Sequence, residues 1–148
     1  MQIQMFKRIL FIGLGGAGQR HLRLFKENST SDTELIAFRT TSKTPVLNPD
    51  FSVNDGTSLE ELYGVRIYET LDKAISTDPD LAVISTPSSM HIDYAQLCAE
   101  KGINIFNQSA LDPNIKHIIK ETFITTNKYM TTDIKVDTNF SGSTCVSL

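Results

Sequence analysis

"ILFIGLGGAGQRH", residues 9–21, is the stretch on which the reading of the whole chain turns. It opens inside "RILFIG" (8–13), a nearly continuous apolar run of the kind expected from a strand buried on both faces of a parallel sheet. Gly13, Gly15 and Gly18 then fall in the spacing G-x-G-x-x-G, and a helix is expected from Gly16 to about Phe25. Between a strand and a helix each glycine has a separate task. One makes the tight turn, one lets the backbone come close to a pyrophosphate, and one lets the helix pack closely on the strand. The helix start adds unpaired N–H groups and a partial positive charge. The main chain of Gly13, Gly15, Gly16, Ala17 and Gly18 is therefore the expected cradle for a dinucleotide. Glycines also gather in ordinary turns, so the surrounding elements have to support the reading.

They do so by alternating. "ELIAF" (34–38), "VRIY" (65–68), "LAVIS" (81–85) and "INIF" (103–106) read as further strands. Thr70 is suited to cap a helix over "LDKAIS". Ile92, Ala95, Cys98 and Ala99 mark another helix from Ile92 to Lys101, stopped by Gly102. Ile115, Ile118, Ile119 and Phe123 suggest one more after Pro113. Residues 40–58, rich in Thr, Ser, Asn, Asp and Pro, read as a loop. The expected fold is α/β of Rossmann type: a doubly wound, mostly parallel sheet in the order 3-2-1-4-5 with helices on both faces. Residues 1–136 are read as one NAD(P)-binding domain. Residues 137–148, "DTNFSGSTCVSL", lack periodicity and are read as a flexible tail.

Composition bounds the function. The 148 residues suit one domain, with 40% hydrophobic and 21% charged residues. A formal net charge of −3 disfavours a nucleic-acid partner, and no apolar run approaches the roughly 18 residues of a membrane span. No secretory signal is visible, so cytoplasm is the expected location. Cys98 and Cys145 make neither a metal cluster nor a disulfide framework, and no metal site is expected. The ending "CVSL" fits a prenylation signal only loosely, since Ser147 stands where an aliphatic residue is wanted.

The residue that meets the adenosine ribose should stand at the end of the second strand. That position falls at about Arg39, 21 residues beyond Gly18, and no carboxylate occurs from Ile36 to Asn48. Instead Arg39, Thr40, Thr41, Ser42 and Lys43 offer two cations and three hydroxyls, a set suited to a ribose 2′-phosphate. NADP is favoured on that ground and NAD is the other reading. A solvated loop that happens to carry two cations is the plain alternative.

With these residues in place the chain resembles the N-terminal domain of the glucose–fructose oxidoreductase/inositol dehydrogenase (Gfo/Idh/MocA) family over roughly residues 7–125. The resemblance rests on "GLGGAGQRH", with His21 three residues after the last glycine, on "DLAVISTPSSMH", and on "AEKGINIF". It implies an enzyme that moves hydride between nicotinamide and a hydroxyl-bearing carbon, usually of a sugar or cyclitol. It places Thr86 and Pro87 on the cofactor cleft and His91 at the start of the next helix, close to the cofactor. The plain alternatives are a surface histidine at position 91 and a His21 that only packs on its helix. His117 receives no role.

The chain departs from the family where the chemistry would be. Where family members carry Glu-Lys-Pro, it has Gln108, Ser109 and Ala110. Serine lacks the charge, reach and tunable pKa of the lysine it replaces. Only 36 residues follow Asp112, too few for the family's C-terminal substrate domain. The expectation is a dinucleotide-binding domain with no catalytic residue of its own: an isolated domain, a truncated chain or the product of a disrupted gene. The alternatives are an oxidoreductase completed by a partner chain that carries the missing domain, and a non-enzymatic NADP(H)-binding regulatory subunit. The exposed edge of the third strand also suggests a homo-oligomer.

Overall fold

Arg8–Ile12 forms β1, and its side chains alternate between two separate apolar layers. Leu10 and Ile12 face one layer, Ile9 and Phe11 the other. A central strand needs a partner on each edge. Here β2 (Glu34–Phe38) and β4 (Leu81–Ile84) both run parallel to β1, with Ile12 level with Phe38 on one side and Ile84 on the other. The outer positions are taken by β3 (Arg66–Tyr68) beside β2 and β5 (Asn104–Ala110) beside β4. These five strands are all parallel in the order 3-2-1-4-5, as expected from the sequence. The structure, a computed structural model, describes residues 6–40, 44–110, 135–137 and 143–147. The helix expected after Pro113 lies outside these residues.

Among the described residues four helices cover the two faces. Against one face α1 (Gly16–Asn28) packs Leu22 and Phe25, joined by Leu59 of α2 (Leu59–Tyr63). Phe25 meets Phe11 and Phe106 edge-on at 5.6 and 5.8 Å between ring centres. Burial of rings of this size contributes about 1.5–3 kcal/mol each. Against the other face α3 (Leu71–Ile75) sets Ala74, and α4 (Ser88–Glu100) sets Ala95, Cys98 and Ala99. The small side chains of α4 let it lie close to the sheet. Desolvation pushes the Cys98 thiol up to about 12, which makes it an inert core group.

Several boundaries follow the local chemistry read from the sequence. The Thr70 hydroxyl accepts from the Lys73 N–H at 3.2 Å and starts α3. Gly102, at φ +69°, follows α4 in the left-handed region. Other boundaries move. α1 runs to Asn28 rather than Phe25, and α4 starts at Ser88, directly after Pro87, rather than at Ile92. α2 has no counterpart in the sequence reading.

The largest difference is at the far edge. Composition suggests an irregular tail from residue 137, whereas Ser143–Ser147 forms β7, antiparallel to β5, with β6 (Lys135–Asp137) beyond it. The free edge of β5 offers unpaired backbone groups to any segment able to extend, and such pairing requires no apolar period. Among the described residues no helix is long and apolar enough to cross a membrane, and no cluster of His, Cys, Asp or Glu is arranged to hold a metal ion.

Candidate functional site

Three strand ends meet at the glycine turn. The Gly13 N–H donates to the Phe38 carbonyl at 3.0 Å, and the Ser85 N–H donates to the Ile12 carbonyl at 2.9 Å. The turn is thereby tied to β2 on one side and β4 on the other. This is where the strand order reverses, the place in an open parallel sheet where ligands bind.

Two positions of the turn require glycine. Gly13 has φ +93°, and a Cβ there would stand 3.0 Å from the Ser85 carbonyl oxygen. A Cβ on Gly18 would lie 2.2 Å from the Gly13 carbonyl oxygen, so α1 approaches the turn as closely as bare backbone permits. Gly15 is different: nothing lies within 4 Å of where its Cβ would be. Its open side belongs to a cleft of about 380 Å³, lined by Gly13, Gly15, Gly16, Ala17, Thr40, Ser85, Thr86, Pro87 and Met90. No side chain caps α1 and its first turn holds no acidic residue, so the positive end of the helix is left uncompensated by its own sequence.

The opposite wall comes from the end of β4. Thr86 is buried, and neither its Oγ1 nor the Ser85 Oγ has a hydrogen-bond partner among the described residues. Buried hydroxyls are ordinarily paired, and two orphans on one cleft wall fit a polar ligand. Behind Thr86 stands His91, only 2% exposed. Its Nε2 bonds the Thr86 carbonyl, which accepts only, so Nε2 carries the proton. Desolvation lowers the His91 pKa from its ordinary value, opposed by that bond, and the ring is neutral at pH 7.

The sequence-derived residues thus separate into groups. Gly13, Gly15, Gly16, Ala17, Thr40, Thr86 and Pro87 converge on the cleft. Gly18 stands behind the turn. His91 lies off the lining and orients the Thr86 backbone; it is buried, unlike the surface histidine of the plain alternative. His21 is also buried, its ring edge-on to Phe106 at 5.5 Å between centres. Arg39 follows β2 directly. Its Nη2 donates to the Thr44 carbonyl at 2.6 Å, while its Nε is buried without a partner among the described residues. Thr41, Ser42 and Lys43 lie outside the described residues. Gln108 and Ser109 belong to the last part of β5, beyond Asn107, which is level with Ile84.

Ser85, Met90 and Gln19 were missed. Ser85 and Met90 flank the Thr-Pro pair and carry no signal besides that proximity. Gln19 directly follows the last glycine, a position whose buried amide no spacing rule singles out.

Solved structures share the fold. WlbA dehydrogenase from Chromobacterium violaceum, solved with NADH and UDP-GlcNAcA, is 18% identical with a TM-score of 0.59, covering 82% of this chain and 33% of that one. Biliverdin reductase from Synechocystis, solved with biliverdin and NADP+, is 18% identical with a TM-score of 0.61, covering 82% and 36%. A myo-inositol dehydrogenase from Corynebacterium glutamicum is 24% identical with a TM-score of 0.54, covering 80% and 33%. The chain therefore spans about a third of the length of these structures. No curated protein matches it in sequence. The profile of the oxidoreductase family with an NAD-binding Rossmann fold, GFO_IDH_MocA, matches residues 7–108, and the chain belongs to that family.

Proposed function

We propose that this Rossmann domain binds NADP(H) in preference to NAD(H) and transfers no hydride by itself. The observation that carries the cofactor preference is Arg39. It stands at the end of β2, where a ribose-binding carboxylate would discriminate for NAD, and one of its buried N–H groups lacks an acceptor among the described residues. An unpaired buried cationic donor is costly, and a ribose phosphate would satisfy it.

The residues present fit a dinucleotide. The open side of Gly15 and the uncapped start of α1 would receive the pyrophosphate, and Ser85 and Thr86 offer hydroxyls on the opposite wall. When bound, the nicotinamide supplies a carbon that gives or takes hydride. Nothing in Gln108 or Ser109 moves the accompanying proton, because neither side chain titrates near neutrality. Losing a positioned acid–base group costs on the order of 10²–10⁴ in rate. By resemblance, the substrate of a family enzyme would be a sugar or cyclitol hydroxyl.

Fluorescence titration with NADPH and NADH tests the reading. NADPH is expected to bind more tightly, and Arg39→Ala to weaken NADPH about tenfold while leaving NADH within about twofold. Failure of both nucleotides to bind would reduce the fold to a scaffold.

A further inference from the structure

The Gln19 side chain is 3% exposed, and its amide bonds two separate segments. Nε2 donates to the Leu14 carbonyl at 3.1 Å and to the Pro45 carbonyl at 2.8 Å, and Oε1 accepts from the Leu47 N–H at 2.8 Å. Leu14 sits inside the glycine turn. Pro45 and Leu47 belong to the loop that leaves the ribose side of the site. We propose that Gln19 is a positioning residue that locks this loop to the glycine turn, so that the phosphate cradle and the ribose side become ordered together. The proposal rests on the dinucleotide reading above.

Both ends of the coupling reach the site. The Leu14–Gly15 peptide is trans, so drawing the Leu14 carbonyl toward Gln19 turns the Gly15 N–H away from Gln19. At the other end, Pro45 follows Thr44, whose carbonyl accepts from Arg39. The amide thus holds the residue next to the one that aims the guanidinium. Phe51, from the same loop, closes on the turn as well: its Cε1 is 3.3 Å from where a Gly16 Cβ would stand.

The pattern selects glutamine. Two carbonyls need two N–H donors and one N–H needs an acceptor, all on one side-chain end. Glutamate would face both carbonyls with no N–H, asparagine is one methylene shorter, and methionine matches the shape with no comparable hydrogen bonds. When binding requires an ordered loop, apparent affinity scales with the fraction of molecules in which it is ordered. Reducing that fraction to about a tenth weakens the ligand about tenfold.

Two measurements test this with whichever of NADPH and NADH the wild type binds more tightly. Gln19→Met is expected to weaken that nucleotide about tenfold at a temperature where both proteins are folded. In the unaltered protein, nucleotide binding is expected to slow hydrogen exchange at the Leu47 amide, as followed by NMR. A merely structural glutamine would lower the melting temperature of the variant and leave its affinity within twofold, which would overturn the proposal. So would a Leu47 amide that exchanges at the same rate while the glycine-turn amides slow, a result that stands even if Gln19→Met fails to fold. A wild type that binds neither nucleotide removes the dinucleotide reading and the proposal together, whereas tight wild-type binding with no Leu47 response removes the proposal alone.

Discussion

The two ends of the sheet are built on opposite principles. Where the strands begin, side chains satisfy the backbone. Asp80 Oδ2 accepts from the Lys7 and Arg8 N–H groups at 2.8 and 2.9 Å, and Asn104 Nδ2 donates to the Asp80 carbonyl at 3.0 Å. Arg8 Nε meets Glu34 at 2.7 Å, and its Nη1 bonds the Thr77 carbonyl. Where the strands finish, hydrogen bonds tie the backbones, but the Ser85 and Thr86 hydroxyls and Arg39 Nε have no partner among the described residues. The first end is organised for stability. The second withholds part of its own satisfaction, and that is the end where the cleft lies.

The largest effect that would sharpen the contrast comes from the glycine turn. Gly18→Ala would drive a Cβ into the Gly13 carbonyl and is expected to destabilise the domain by about 3 kcal/mol, read from urea unfolding. Survival with normal stability would mean that the turn is looser than the close approach implies. Next in size is a pair of changes with opposed outcomes. Asp80→Ala strands two N–H groups and should cost about 1–3 kcal/mol with little change in nucleotide affinity. Thr86→Val removes a hydroxyl that has no partner among the described residues; its stability should stay within about 0.5 kcal/mol of wild type or rise, while nucleotide affinity falls. A Thr86→Val variant as unstable as Asp80→Ala would erase the distinction between the ends. The smallest effect is in pH. Burial lowers the His91 pKa in the folded state, so the unfolded chain takes up the proton more readily. The His91 contribution is therefore complete above its ordinary value of 6.5 and is lost as the pH falls below it. The urea midpoint should drop between pH 7 and 5.5, and by less in His91→Gln.

One side of this contrast, the glycine turn and the strands around it, is legible in the sequence. The apolar run into Gly13, the glycine spacing and the Thr70 cap are local signals, each decided by residues within one turn or strand, and with the alternation of elements they lead to the parallel order and the tight turn after β1. Ser58 is equally local: its hydroxyl accepts from the Glu61 N–H at 3.2 Å, and Gly64 closes α2 at φ +65°. α2 escaped notice because five residues are too few to show a period. The remaining misses are nonlocal. Polarity leaves a surface position open for His91, and its burial is settled by packing against the end of β4, where its ring meets the Thr86 carbonyl. Gln19 finds its loop partners 26 and 28 residues away. β7 gains its place from the edge of β5, which its own composition does not encode.

The Asp80 clamp has a consequence for the order of events during synthesis. The carboxylate that fastens the start of β1 is 72 residues beyond Arg8, and one of the two strands flanking β1 follows directly after it. A chain that leaves the ribosome N-terminus first carries β1 with one edge bare until β4 has emerged. The glycine turn, whose Ser85 contact comes later still, takes its final shape only once the fourth strand has been translated.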